Sequence, residues 1–433
     1  MPPVPQFQLS GSPTEVGFQH GQLAATQIQH SLDLYSAYFR EQAGLDWGQV
    51  RNLAHDFATH IAQDHDDLLD EIKGIAQGAG QDWIDIVALN VRTEASREPA
   101  ATSDSRPAAD MRSHESQIGL ASPNAETLTP IDGCTAFSLR DSKGTLWSAQ
   151  NWDWKSSAAS SLISLDILAH APTKRPRIRL MTEAGVIGKI GVNEHGVAIL
   201  LNALKRPLAT RSVDGPQTNL RDPARIPIHL LLRRLISLSS VAACVSYLAS
   251  PPISNRCASA AHVLVTDPTE SISVEILPTG TFARTLTRES GAAAVREGGN
   301  VPSPSSPPFL SHTNHLRYTS EPTETHLWPD SFPRLTTLDA MLVASCASPS
   351  SSERPDDDAT TMSFDKVRTI LSDRTLGEKG ICRFEAAERG DIVTVFSIGI
   401  KSRPSDCEGD TTRAEVVVGR PDEGGQVIEW TFP

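Results

Sequence analysis

No apolar run in this 433-residue sequence approaches the ~20 residues needed to cross a bilayer, so no membrane partner is expected. Positive charge is also short: 39 Lys and Arg stand against 52 Asp and Glu, a formal net charge of −13. That balance argues against nucleic acid or an anionic membrane as a main partner. The six cysteines include no C-x-x-C pair and have no histidine nearby at ligand spacing, so a zinc site is not expected; no cofactor is expected either. An intracellular chain of this size has no need of disulfides. The first residues, Met1 to Gln8, lack the basic start and apolar core of a secretory signal. The last, Trp430-Thr431-Phe432-Pro433, do not form a peroxisomal tripeptide, which makes the expected location cytoplasmic. No repeat of solenoid period is visible.

What is present suits a globular enzyme, with 39% hydrophobic and 21% charged residues. Residues 1–98 read as mostly helical. Ile28, Leu32, Leu34, Tyr35 and Tyr38 recur at near-helical spacing. Asp64 to Asp67 open another helix with acidic residues where the macrodipole favours them, and Gly78 to Gly80 close it. Asp82 to Asn90 reads as a third. Within this part, Glu71 and Glu94 read as solvated or capping carboxylates, and His20 as a packed helix histidine. Residues 99–130 lose apolar periodicity and read as a flexible loop that ends just before Asp132-Gly133-Cys134.

From Cys134 the pattern becomes that of strands. Thr135–Leu139 and Thr145–Gln150 form a hairpin, and further strands are expected near 164–169, 177–182, 188–192 and 197–202. Helices follow at about 226–237 and 239–248, then a hairpin across Asp267-Pro268-Thr269-Glu270. Residues 288–308 and 347–361 read as loops. A helix over 364–371 has Ser363 as its cap, and strands return at 392–400, 414–418 and 427–432. The sum is a layered α+β fold.

Cys134 is the one cysteine whose neighbours suggest chemistry. A thiol is nucleophilic only as thiolate, so something must take its proton. One solution is a histidine from elsewhere in the chain, such as His262 or His315. The other is scission of Gly133–Cys134, which frees an α-amine of pKa ~8 within reach of its own side chain. Gly133 suits that bond because a residue without Cβ permits close approach. The residues alone leave both solutions open.

Seven stretches, in order over about residues 14–420, resemble the acyl-coenzyme A:6-aminopenicillanic-acid acyltransferase (isopenicillin N acyltransferase) family of N-terminal-nucleophile hydrolases. They are Gly17 to Gly21, Glu71 to Gly80, Ile86 to Glu94, Asp132 to Thr135, Gln150 to Asp153, His312 to His315 and Gly380 to Arg383. The resemblance implies a four-layer αββα sandwich made as an inactive precursor. Residues 1–133 would become a small subunit and 134–433 the catalytic subunit, held together as an αβ heterodimer. Cys134 would form a thioester with a small-molecule acyl donor and pass the acyl group to an amine or to water, with acyl-coenzyme A as a candidate co-substrate. Asp153 would orient or charge-stabilise the new N-terminus, and Asn314 would hydrogen-bond the tetrahedral oxyanion. Arg383 is matched through its Gly-Ile-Cys-Arg context.

The plainer readings stand beside these. Asp153 could simply end a strand, Trp152 and Trp154 could be core, and His312-x-x-His315 has a zinc-like spacing without a third ligand pattern. The sequence also departs from the family's penicillin-making members. Leu277 and the Glu388 to Asp391 stretch stand where those members carry a serine and a Gly-x-Ser-x-Gly element, which implies another acyl donor. The rival classes are a Cys–His hydrolase that never cuts itself and a non-catalytic family member.

Overall fold

The computed structural model describes residues 1–96, 133–204, 222–249, 257–277, 280–287, 293–295, 308–318, 330–346, 361–385, 392–403 and 412–432. In chain order the elements begin with β1 (Gln6–Leu9), α1 (Pro13–Leu23), α2 (Ala25–Tyr38), α3 (Trp47–Asp64), α4 (Asp66–Ala79), α5 (Trp83–Asn90) and α6 (Arg92–Ala95). They continue with β2 (Thr135–Arg140), β3 (Leu146–Lys155), β4 (Leu162–Ile167), β5 (Ile178–Glu183), β6 (Ile190–Asn193) and β7 (Ala198–Ala203). Next come α7 (Ile228–Leu235), α8 (Val241–Ala249), β8 (Ala261–Thr266), β9 (Glu270–Leu277), β10 (Gly280–Thr287), β11 (Ala293–Val295) and β12 (Phe309–His312). The chain closes with α9 (Ser331–Cys346), α10 (Phe364–Leu371), β13 (Ile392–Ser402), β14 (Thr412–Val418) and β15 (Val427–Phe432).

The strands form a nine-stranded sheet, β1-β4-β5-β6-β7-β8-β9-β10-β11, and a six-stranded sheet, β12-β2-β3-β13-β14-β15. Strand periodicity divides their side chains between cores. Ala136 of β2 packs with Met181, Val192 and Leu264 of the larger sheet, whereas Phe137 and Leu139 pack with Leu338 and Leu342 of α9. On the far face of the larger sheet, Leu165, Leu180 and Ile199 pack against α1 to α5 and α7. The order of layers is helix, sheet, sheet, helix, the αββα sandwich expected above.

The first glycine-rich stretches are explained by one contact. α1 and α4 approach so closely that a Cβ on Gly17 or Gly21 would strike the Glu71 or Ile75 carbonyl. Gly74 and Gly78 meet the Thr14 and Phe18 carbonyls in the same way. Four glycines, two on each helix at i and i+4, let the two backbones touch. His20 of α1 is 1% exposed, and its Nε2 accepts a hydrogen bond from the Gly185 amide, just after β5, at 3.0 Å.

Three local readings are corrected. The chain does not begin helical, because Gln6–Leu9 pairs in parallel with β4. Within the stretch 288–308, read as loop, Ala293–Val295 forms a strand on β10. The long helices α3 and α9 were not anticipated as elements. The reading of 99–130 as a flexible loop lies outside the described residues, as does that of 347–360. Among the described residues, no helix is long and apolar enough to cross a membrane.

Burial makes histidine a stability sensor. Desolvation holds His20 and His315 near a pKa of about 3, and His229 and His262 well below the usual imidazole value. These groups bind protons in the unfolded chain below pH ~6.5 but stay neutral in the fold, so stability is lost as pH falls. At pH 4 each histidine should cost on the order of 3 kcal/mol relative to pH 7. Urea unfolding midpoints at the two values check this. His20→Gln should flatten part of the dependence.

Candidate active site

Cys134 is 1% exposed and lies immediately before β2. β2 pairs with β3 so that Thr135 faces Asn151, one residue along from Cys134 and Trp152 in their chains. Cys134 and Trp152 both belong to the core between the sheets. The hairpin therefore aims the thiol into the middle of the sandwich.

Around the Gly133–Cys134 peptide the structure gathers buried charge. Arg334, in the first turn of α9 and fully buried, donates through Nη1 to the Gly133 carbonyl at 2.5 Å, the Cys134 carbonyl at 2.8 Å and Thr135 Oγ1 at 2.9 Å. Its Nη2 donates to Asn314 Oδ1 at 2.8 Å. Burial and the neighbouring Arg383 lower the Arg334 pKa to about 10, which leaves it charged at neutral pH. Asp330 lies between the two guanidiniums, 3.3 Å from Arg334 Nε and paired with Arg383 Nη2.

Arg383 reaches Asp153 Oδ2 with Nε at 3.2 Å. Thr394 ties the same pair together: its Oγ1 donates to Asp153 Oδ1 at 2.7 Å and accepts from the Arg383 amide at 2.9 Å. Gly133 lies against the Arg383 guanidinium, and a Cβ there would strike its Nε. Glycine at this position is thus required by contact. Two carboxylates, Asp153 and Asp330, face two guanidiniums, so the group is neutral as a whole. That balance meets the need for partners when charge is buried.

Asn314 is 0% exposed and held on three sides. Its amide donates to Ser331 Oγ at 2.8 Å, its Nδ2 donates to the Ala203 carbonyl at 3.1 Å, and Arg334 occupies Oδ1. Donation by Arg334 fixes the amide so that Nδ2 is the donor end, which carries two hydrogens. Asn202 completes the frame by donating Nδ2 to the Cys134 carbonyl at 3.1 Å and the His312 carbonyl at 3.2 Å.

Cys134, Asp153, Asn314 and Arg383, singled out from the sequence, are thus brought together through Arg334 and Asp330. The sequence reading missed Arg334, Asp330, Asn202 and Thr394. The Asp330–Arg334 spacing of i, i+4 was the only local signal, and it is a common one on helices.

The two histidines considered as bases are held by other partners. His262 meets Asn202 Oδ1 at 3.2 Å and Ser273 Oγ at 2.7 Å. His315 meets Ser331 Oγ at 2.7 Å and stacks on Phe332 at 3.7 Å. His312 stacks on His262 at 3.7 Å and bridges Glu275 and the Thr313 carbonyl. Trp152 and Trp154 stack on each other at 6.5 Å, with Trp152 in the core between the sheets. Glu71 and Glu94 are not solvated. Glu71 pairs with buried Arg233 at 3.0 Å, and Glu94 accepts from the Ile228 amide at 3.0 Å, capping α7 from a distance.

This chain is similar to an acyltransferase. Over 268 residues it is 28% identical to the acyl-coenzyme A:6-aminopenicillanic-acid-acyltransferase 40 kDa form of Emericella nidulans. The match covers 62% of this chain and 62% of that relative, so it spans less than two thirds of the relative's length. Among solved structures, an N-acylethanolamine-hydrolysing acid amidase ortholog of Caenorhabditis elegans aligns with a TM-score of 0.40 at 14% identity, covering 69% of this chain and 100% of that one. Penicillin V acylase from Agrobacterium tumefaciens aligns with a TM-score of 0.38 at 13% identity, covering 69% of this chain and 86% of that one. No protein-family model matches the chain.

Proposed function

We propose that the chain cuts itself between Gly133 and Cys134 and then uses Cys134 to carry an acyl group as a thioester to an amine or to water. The observation that carries this reading is the Arg334 guanidinium on the Gly133 carbonyl oxygen at 2.5 Å. A peptide carbonyl polarised by a buried cation, beside the thiol of the next residue, is arranged for attack by that thiol.

In the cut, Cys134 Sγ adds to the Gly133 carbonyl carbon. Negative charge develops on the oxygen that Arg334 already holds. Collapse expels the Cys134 nitrogen and leaves a thioester, which water hydrolyses to a Gly133 carboxylate and a free Cys134. The freed α-amine, of ordinary pKa ~8, then serves as the base for turnover. Asp153, locked by Arg383 and Thr394, offers a carboxylate for the new ammonium. Asn314 Nδ2 is the donor for the tetrahedral oxyanion of turnover, a role worth about 10²–10³ in rate.

Both segments contribute to one sheet, since β1 pairs with β4, so the two pieces would remain associated. The name of the relative from Emericella nidulans supports an acyl thioester as donor and a small amine as acceptor. No cofactor is required, because the thiol, the amine and the oxyanion donors come from the chain itself.

Intact-mass measurement of purified protein tests the reading. The expected result is a fragment beginning at Cys134 together with its N-terminal complement. A fully active single chain of 433 residues would overturn it.

A further inference from the structure

We propose that Lys189 takes the Cys134 thiol proton in the uncut chain and returns it to the leaving nitrogen. This inference rests on the self-cutting reading above and concerns the step that the freed amine cannot serve. Before the cut the Cys134 nitrogen is an amide, whose lone pair is delocalised and does not act as a base. His262 and His315 are engaged elsewhere. The first cut therefore needs another proton acceptor.

Lys189 precedes β6 on the larger sheet and reaches across the inter-sheet core. It is 2% exposed, and its Nζ lies over the Trp152 ring, 3.2 Å from the centroid. Trp152 follows Asn151, the ladder partner of Thr135, and shares the core between the sheets with Cys134. The ammonium thus lies on a ring of the same core that holds the thiol, and a Cys134 thiolate attracts it.

The groups facing Lys189 fix its charge state. Glu183, at the end of β5, pairs with both Lys189 and Arg92 of α6, and it accepts from Tyr35 of α2. His229 of α7 meets Arg92 and the Gly188 carbonyl, and burial keeps it neutral. Burial also keeps Tyr35 protonated, and its neighbouring cations keep Glu183 ionised. Arg92 and Glu183 already balance, so the Lys189 proton is the surplus charge. Desolvation of that surplus brings the Lys189 pKa down to about 8, while a Cys134 thiolate favours the ammonium. Lys189 can therefore shed its proton near pH 8, and Arg92 keeps Glu183 paired when it does.

The step balances without any outside reagent. Neutral Lys189 accepts the Sγ proton as the S–C bond to Gly133 forms. The resulting ammonium gives that proton to the departing Cys134 nitrogen as the C–N bond breaks, and Lys189 ends neutral, as it began.

The experiment uses full-length wild type, Lys189→Arg and Lys189→Met made by cell-free synthesis. Cutting is followed by intact mass from pH 6 to 9. Wild-type cutting should rise about tenfold per pH unit and level off above pH ~8. Lys189→Met should cut ~10²-fold more slowly and lose that profile. Lys189→Arg keeps a charge but holds its proton, and should be slow as well. If both variants cut at the wild-type rate with the wild-type profile, the proposal is overturned and the self-cutting reading stands. If wild type never cuts, it is that reading that fails. Should the variants not fold, as judged by circular dichroism, the wild-type profile decides: a rate independent of pH between 6 and 8 overturns the role of Lys189.

Discussion

Cys134→Ala should remain a single uncut chain and lose turnover by about 10⁴-fold or more, the scale seen when a nucleophile is removed. In the proposed mechanism one sulfur does both jobs, so one deletion removes both. The change takes a small volume from the core between the sheets and should cost about 1 kcal/mol of stability, too little to unfold a chain of this size. Three other thiols are poor substitutes. Burial pushes Cys244 and Cys382 up to about 12, so they stay protonated at neutral pH, and Cys346 is raised as well. An acyl-type probe should therefore label wild type at Cys134 and fail to label the variant. Intact mass, turnover on amide and thioester substrates, and probe labelling read the outcome. A cut Cys134→Ala chain, or one that keeps its activity, would be incompatible with a Cys134 nucleophile.

Arg334→Met should lower both cutting and turnover by about 10²–10³-fold. One guanidinium serves the Gly133 carbonyl, the Cys134 carbonyl, Thr135 Oγ1 and the Asn314 amide. Its removal takes the charge from the scissile carbonyl and releases Asn314 Oδ1, so the donor end of that amide is no longer fixed. Methionine also leaves Asp330 with Arg383 but without the second cation. Removing one partner of a buried charge group costs about 3 kcal/mol. Arg334→Lys separates the effects. It restores a charge near Asp330 and should recover much of the stability. A point charge does not reproduce the planar fork, so cutting should stay slow. Denaturant midpoints report the stability, and mass spectrometry reports the cutting. Normal cutting in both variants would remove Arg334 from the mechanism.

Much of the site was legible because its signals are local. Gly133-Cys134 announces itself by a glycine before a thiol at the start of a strand. Asp153 follows at the far end of the hairpin, where Arg383 joins it to Gly133. Asn314 and Arg383 were reached through short motifs and not through physics, since nothing in an Asn or an Arg alone points to a thiol 180 or more positions away. The helices and strands with strong periodicity, such as α2 and β13, were equally readable. β1 was not, because four residues carry little pattern and their conformation is set by the open edge of β4.

The sequence by itself determined the alternation of apolar residues that makes two sheets and their helices, the glycine pairs that let α1 touch α4, and the thiol at the mouth of β2. Each is written within a few residues, where sterics and solvent exposure act directly. Only the tertiary structure decided which charges share the buried space around Gly133–Cys134. Asp330 and Arg334 come from the start of α9, Asn202 from β7 and Lys189 from the turn before β6. Their roles come from desolvation and mutual pairing, which act through space and leave no period in the chain.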